Sequence, residues 1–287
     1  MSNVNYTINQ KQYQALKETG LNFEELSEQY LTKKEIQAIN FSPSLTFPAE
    51  KGGSFANFSS FLKFEEKPKD AGESSKKSIK LLQNWDALQK ENIELRVGYV
   101  LLGINAGTKG IEKLGRSAFE HFEMFQIRSR TRSPVKYQNA FLNTGNAKFY
   151  VEKVCGTYIT DFVKGYPTAT GAELMADREK IAVKILGYNE EEKKDFNKRF
   201  SQLFGHLLEN ELELLGGETH TLVVMGHKDN EVFTFLEELG FNKKIDTHVI
   251  LNPNAKNPKR YKVKRVPHYS SRGSQSMLRE QIEEAFK

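Results

Sequence analysis

The chain has 287 residues, 38% of them hydrophobic and 28% charged, with a net charge of +5, which fits one large folded unit, with or without an extension, better than a disordered chain. A single cysteine, Cys155, excludes an internal disulfide and any cysteine-built zinc or iron–sulfur site. The first ten residues lack the apolar core of a secretion signal and the longest apolar run, around Val100–Leu102, is too short to cross a bilayer, so a cytoplasmic protein is expected.

Residues 10–39 read as helical from the spacing of Leu16, Leu26, Tyr30, Leu31, Ile36 and Ile39, with Gly20 dividing them into two helices. Residues 41–48 are turn-rich. Phe55, Phe58, Phe61 and Phe64 read as packing residues, and residues 67–77 as a polar loop. A helix is expected from Ser78 through Leu81, Leu82, Trp85 and Leu88. Residues 95–104 form the clearest strand, apolar almost throughout, as expected of a strand buried on both faces of a parallel sheet. A helix follows over 111–125, then a basic loop over 128–136. Residues 149–154 read as helical and 157–163 as a second strand, rich in β-branched and aromatic residues. Two long helical stretches cover 172–186 and 191–215. A third strand at 221–225, a helix at 230–239, strand candidates at 246–251 and 261–266, and a helix at 274–286 complete the chain. This alternation predicts an α/β fold. We expect a three-layer αβα sandwich around a mostly parallel four-stranded sheet in residues 91–287, with residues 1–90 as a helical extension packed on that core.

Charge is clustered. Six of the ten residues from Lys256 to Arg265 are basic, Lys262 and Lys264 among them, and Arg128, Arg130, Arg132 and Lys136 form a second group. Such clusters either meet phosphates or are solvated surface. In open parallel sheets ligands bind beyond the carboxyl ends of the strands. Those ends carry Gly103-Ile104-Asn105-Ala106-Gly107, Thr160-Asp161, Gly226-His227-Lys228, and Val266-Pro267-His268-Tyr269-Ser270-Ser271-Arg272. Glycines let backbone approach a ligand closely, and Asn105 offers both a donor and an acceptor. Each segment alone is equally compatible with an ordinary turn, and His227 with a surface residue.

Together the segments carry a resemblance. Gly103–Gly107 (GINAG) is similar to the GINPG motif of mismatch-specific uracil/thymine-DNA glycosylases, and His268–Ser274 (HYSSRGS) resembles the second motif of the uracil-DNA glycosylase superfamily. Gly145–Tyr150 (GNAKFY), Tyr158–Lys164 (YITDFVK) and Leu222–Phe233 (LVVMGHKDNEVF) resemble intervening segments in the same order. The resemblance implies an enzyme without metal or cofactor that acts on DNA as a monomer. It would flip a uracil, a mismatched thymine or a modified pyrimidine such as a modified cytosine out of the duplex and hydrolyse its N-glycosidic bond to leave an abasic site, in repair or in defence against modified foreign DNA. Asn105 would orient the attacking water, and His268 would donate to the base carbonyl. Gly103, Ile104, Ala106, Gly107, Asn146 and Asp161 would line the base pocket. Arg128, Arg130, Arg132, Lys228, Lys262, Lys264, Ser270, Ser271 and Arg272 would meet the DNA, with Arg272 able to fill the gap left by the flipped base.

Three departures bear on the substrate. Ala106 and Tyr269 replace motif prolines, and Asp161 stands where uracil enzymes carry an asparagine. An ionised carboxylate only accepts hydrogen bonds, so Asp161 suits the amino group of a cytosine-type base better than the O4 of uracil. The other reading of Asp161 is a local cap outside the pocket. The alternative for the whole chain is an inactive glycosylase-fold module that binds altered DNA, because fold alone does not fix activity.

Overall fold

A computed structural model of the chain describes residues 6–39, 53–62, 79–107, 119–126, 135–168, 170–216, 220–226, 230–268 and 273–287. Its centre is a sheet of six strands: β1 (Ser59–Phe61), β2 (Arg96–Gly107), β3 (Thr157–Thr168), β4 (Thr221–Met225), β5 (His248–Ile250) and β6 (Arg260–Val266). The spatial order is β1-β3-β2-β4-β6-β5. The inner four are parallel, and β1 and β5 are antiparallel edges. The sheet therefore has six strands and not the four expected. β1 escaped notice because it is three residues long and buried at every position, so no alternating pattern marks it.

The helices are α1 (Gln10–Glu18), α2 (Phe23–Tyr30), α3 (Lys33–Ile39), α4 (Trp85–Lys90), α5 (Val135–Leu142), α6 (Ala147–Phe149), α7 (Gly171–Glu179), α8 (Glu190–Leu214), α9 (Glu231–Glu238) and α10 (Gln275–Ala285). The helical path of α6 continues as a π-turn over Tyr150–Val154, and that of α7 as one over Lys180–Ile185. The longest, α8, starts on a capping box. The Asn189 side chain accepts from the Glu191 and Glu192 amides, and the Glu192 carboxylate accepts from the Asn189 amide. Its buried face carries Phe196, Phe200, Leu203, Phe204, Leu207, Leu208 and Leu212 at helical spacing. Residues 10–39 form three helices where two were expected, the second break falling before Thr32, whose amide is taken by the Glu35 carboxylate at 2.7 Å. Residues 119–126 are turns rather than the end of a helix over 111–125, with Phe122 at φ 58°. α5 begins within the last two residues of the stretch read as a basic loop and runs on to Leu142.

Alternate residues of a strand face opposite ways. Tyr99 of β2 stacks on Phe286, just past α10, at 4.7 Å. Phe162 of β3 stacks on Phe235 of α9 at 5.3 Å, and Phe235 in turn meets Phe200 of α8 at 6.2 Å. The described part of the first 90 residues shares this core. Beyond contributing β1, they bond to β2 where the Val97 amide donates to the Tyr6 carbonyl at 2.8 Å. Glu35 of α3, fully buried, binds Arg199 of α8 through both carboxylate oxygens at 2.7 Å each, the bidentate geometry that suits a guanidinium.

Candidate functional site

The connections leave β2 for β3 on one side and return to β4 on the other. That reversal opens a crevice at the carboxyl ends of parallel strands. The ladders show where it opens. β2 pairs with β4 only as far as Leu102↔Val224, yet it continues beside β3 through Asn105↔Val163 to Gly107↔Thr168. The strands thus part at Gly103.

At that point three strand ends converge. Gly103 is paired with Asp161 of β3, and the Asp161 carboxylate lies against the Gly103 backbone in space that any side chain on residue 103 would need. A methyl there would overlap Oδ1, and it would meet the Met225 Cε of β4 at 3.6 Å. Glycine is required here by close approach, not by backbone angle. Asp161 is only 2% exposed, so a ligand reaching its carboxylate must displace what covers it. The methyl of Met225, the most adaptable of apolar side chains, lies beside the same face of Gly103.

The next strand completes the arrangement. Met225 pairs with Val266 of β6, and the Gly226 amide donates to the Val266 carbonyl at 2.9 Å. The Tyr137 hydroxyl of α5 donates to the Pro267 carbonyl at 2.7 Å. His268 follows, half-buried and engaged in contacts of its own. After β4, Asn230 ties the loop down: its amide donates to the Met225 carbonyl at 3.0 Å, while its Oδ1 caps α9 through the Val232 amide at 2.9 Å. Gly103, Met225 and Val266 lie at one level of the sheet. Asn105 and His268 each lie two residues along the chain beyond that level, on segments that flank β4.

The structure brings Gly103, Ile104, Asp161 and the backbone of Asn105, Ala106 and Gly107 to this one end, with His268 across β4. It does not bring Asn146 there through its side chain, which donates to Glu283 of α10 at 2.6 Å. Lys264 is turned to another use: its ammonium donates to the Ala285 carbonyl at 2.9 Å, and it lies over the Tyr99 ring. Burial and the neighbouring Lys262 pull its pKa down. Lys262 is exposed and pairs with Thr221 at the start of β4, about 13 Å of strand back from Val266. Arg128, Arg130, Arg132, Lys228, Ser270, Ser271 and Arg272 lie outside the described residues.

Sequence reasoning passed over Met225, Lys164 and Glu211. Lys164, three residues along β3 from Asp161, forms an ion pair of 3.0 Å with Glu211 of α8, with no exposed side-chain surface. A lysine within a strand rich in β-branched and aromatic residues was the available signal. A cavity of about 460 Å³ lies elsewhere, between the α1–α2 turn and α8, lined by Asn22, Glu25, His206, Asn210 and Glu213 among others. It contains none of the strand-end residues.

Among the described residues no group of His, Cys, Asp and Glu is placed to hold a metal ion, and no helix is long and apolar enough to cross a membrane. The chain matches no protein-family model and no curated protein sequence.

Proposed function

We propose that this chain is a metal-independent DNA glycosylase of the uracil-DNA glycosylase type, acting on a pyrimidine that carries an exocyclic amino group. The observation that carries this reading is the Asp161 carboxylate seated on Gly103 where β2 and β4 part, with Asn105 and His268 two residues beyond on either side. In this reading the sheet is the middle layer of an αβα sandwich.

Bond cleavage builds positive charge on the sugar and negative charge on the departing base. Asn105 orients the water without acting as a strong base, and His268 donates to the base carbonyl as charge gathers there. Electrostatic stabilisation of the leaving group then supplies most of the acceleration. Asp161 accepts from the amino group, which a uracil or thymine lacks. An apolar pocket would not make that distinction, whereas a carboxylate repels the O4 that a uracil or thymine carries in place of the amino group.

The test is a panel of duplexes carrying uracil, mismatched thymine, cytosine, hydroxymethylcytosine and glucosylated hydroxymethylcytosine, with abasic sites opened by alkali. Strand breaks are expected at an amino-bearing base. They should fall at least about 100-fold in Asn105→Ala and His268→Ala, the loss typical of removing one such group. Asp161→Asn should shift preference toward uracil. No strand break on any duplex would refute the reading, and salt-sensitive DNA binding in that case would identify a binding module instead.

A further inference from the structure

Behind Asp161, four fully buried polar side chains form one network. Lys164 pairs with Glu211 of α8 at 3.0 Å. The Tyr158 hydroxyl donates to Glu211 Oε1 at 2.7 Å, and the Thr160 hydroxyl donates to the same oxygen at 3.0 Å. The Lys164 ammonium also donates to the backbone carbonyl of Asp161 itself. Alternation along β3 turns Tyr158, Thr160 and Lys164 away from the face that carries the Asp161 side chain.

Stability does not account for this pair. Desolvating two charges offsets most of their attraction, and replacing a whole buried pair by apolar residues is often neutral or stabilising. The contact that pairing alone leaves unexplained is the one to the Asp161 carbonyl. The β1 ladder ends at Ser59 opposite Thr160, so Asp161 is the first residue of β3 beyond it. From there the Lys164 ammonium grips the peptide.

We infer that the Lys164–Glu211 pair is a positioning device, holding the Asp161 peptide so that its carboxylate stays seated on Gly103. The consequence for base cleavage rests on the glycosylase reading; the geometry does not. Glu211 fixes the ammonium, Tyr158 and Thr160 fix Glu211, and the ammonium fixes the peptide plane from which the Asp161 side chain departs. A carboxylate displaced by about 1 Å loses on the order of 100-fold in rate.

The test compares wild type, Lys164→Met with Glu211→Leu, and Tyr158→Phe, which loosens Glu211 without touching Asp161. The double variant should melt within a few degrees of wild type and bind duplex with unchanged affinity. Its single-turnover rate should fall about 100-fold and its preference among bases should weaken, while Tyr158→Phe, which leaves Glu211 its Thr160 and Lys164 partners, should show a smaller loss. In crystals of the double variant the Asp161 carboxylate should have left Gly103. A wild-type rate in the double variant, an equal loss in Tyr158→Phe, or a carboxylate still seated on Gly103 overturns the inference. If the double variant does not fold, Lys164→Met with Glu211→Gln carries the same measurements, because the neutral amide leaves no unpaired buried charge and its oxygen still accepts from Tyr158 and Thr160. If wild type cuts no base, the glycosylase reading fails by itself, and the position of the Asp161 carboxylate in the variant crystals still decides this one.

Discussion

Replacing Gly103 by alanine tests the centre of the site without assuming any activity. An ordinary carbon–oxygen contact is about 3.3 Å, and the added methyl would intrude on Asp161 Oδ1 by about 1 Å of that distance. The carboxylate has little room to retreat, because Asp161 is 2% exposed and its own peptide is gripped by Lys164. Overpacking of this kind destabilises by about 1–3 kcal/mol. In an Asp161→Ala background the clash is gone and the methyl meets Met225 Cε at an ordinary 3.6 Å. There the same change should be neutral, or stabilising by about 0.4–1 kcal/mol through the unfolded chain. Urea melts of the four proteins close a double-mutant cycle, and a coupling of at least about 1 kcal/mol is expected. Additivity within about 0.5 kcal/mol would refute the placement of the carboxylate. Where cleavage is measurable, Gly103→Ala should also slow it about 100-fold, equivalent to about 2.7 kcal/mol of barrier.

Other outcomes follow from the ion pairs. Burial pushes the Glu35 carboxyl up, but Arg199, the Thr32 amide and the Tyr188 hydroxyl together hold it down at about 2. A depressed acid stabilises the fold above its unfolded pKa, near 4.5, and that contribution is lost as pH falls toward 2. It amounts to roughly 3 kcal/mol, so Glu35→Gln should flatten the fall of stability with acid, measured by urea melts between pH 5 and pH 2; parallel curves for variant and wild type would contradict this. Lys264→Met should cost about 0.5–1 kcal/mol by removing a charged donor from the last carbonyls of α10. It should leave the salt dependence of DNA binding unchanged, and a salt slope reduced by about one unit would instead put Lys264 on a phosphate.

The parts of the fold carried by long apolar patterns could be read from the chain. The apolar run of β2, the β-branched residues of β3 and the phenylalanine and leucine spacing of α8 each depend on local sequence that burial reinforces. β1 could not be read, because three residues carry no period and its place is set by partners about 100 residues away. Residues 119–126 misled in the opposite way: Phe119, Phe122 and Phe125 keep helical spacing but are buried from turns, where tertiary packing overrides pattern. At the site, the glycines and Asp161 could be chosen from strand-end position alone. The use of Lys264 as a helix cap and the engagement of Asn146 with Glu283 depend on where α10 docks, which no local pattern encodes.

The short strand β1 has a consequence for how the molecule is assembled. It lies along β3, the outermost of the four parallel strands on that side, and so occupies a row of backbone donors and acceptors that would otherwise face solvent. A chain starting at residue 91 would bare that row, and an unprotected edge is a template for pairing with other copies. During synthesis the β1 segment must also wait until β3 emerges about 100 residues later, a late closure of the kind that slows folding. The amino-terminal residues thus guard the sheet against self-association, and they do so only once most of the chain has been made.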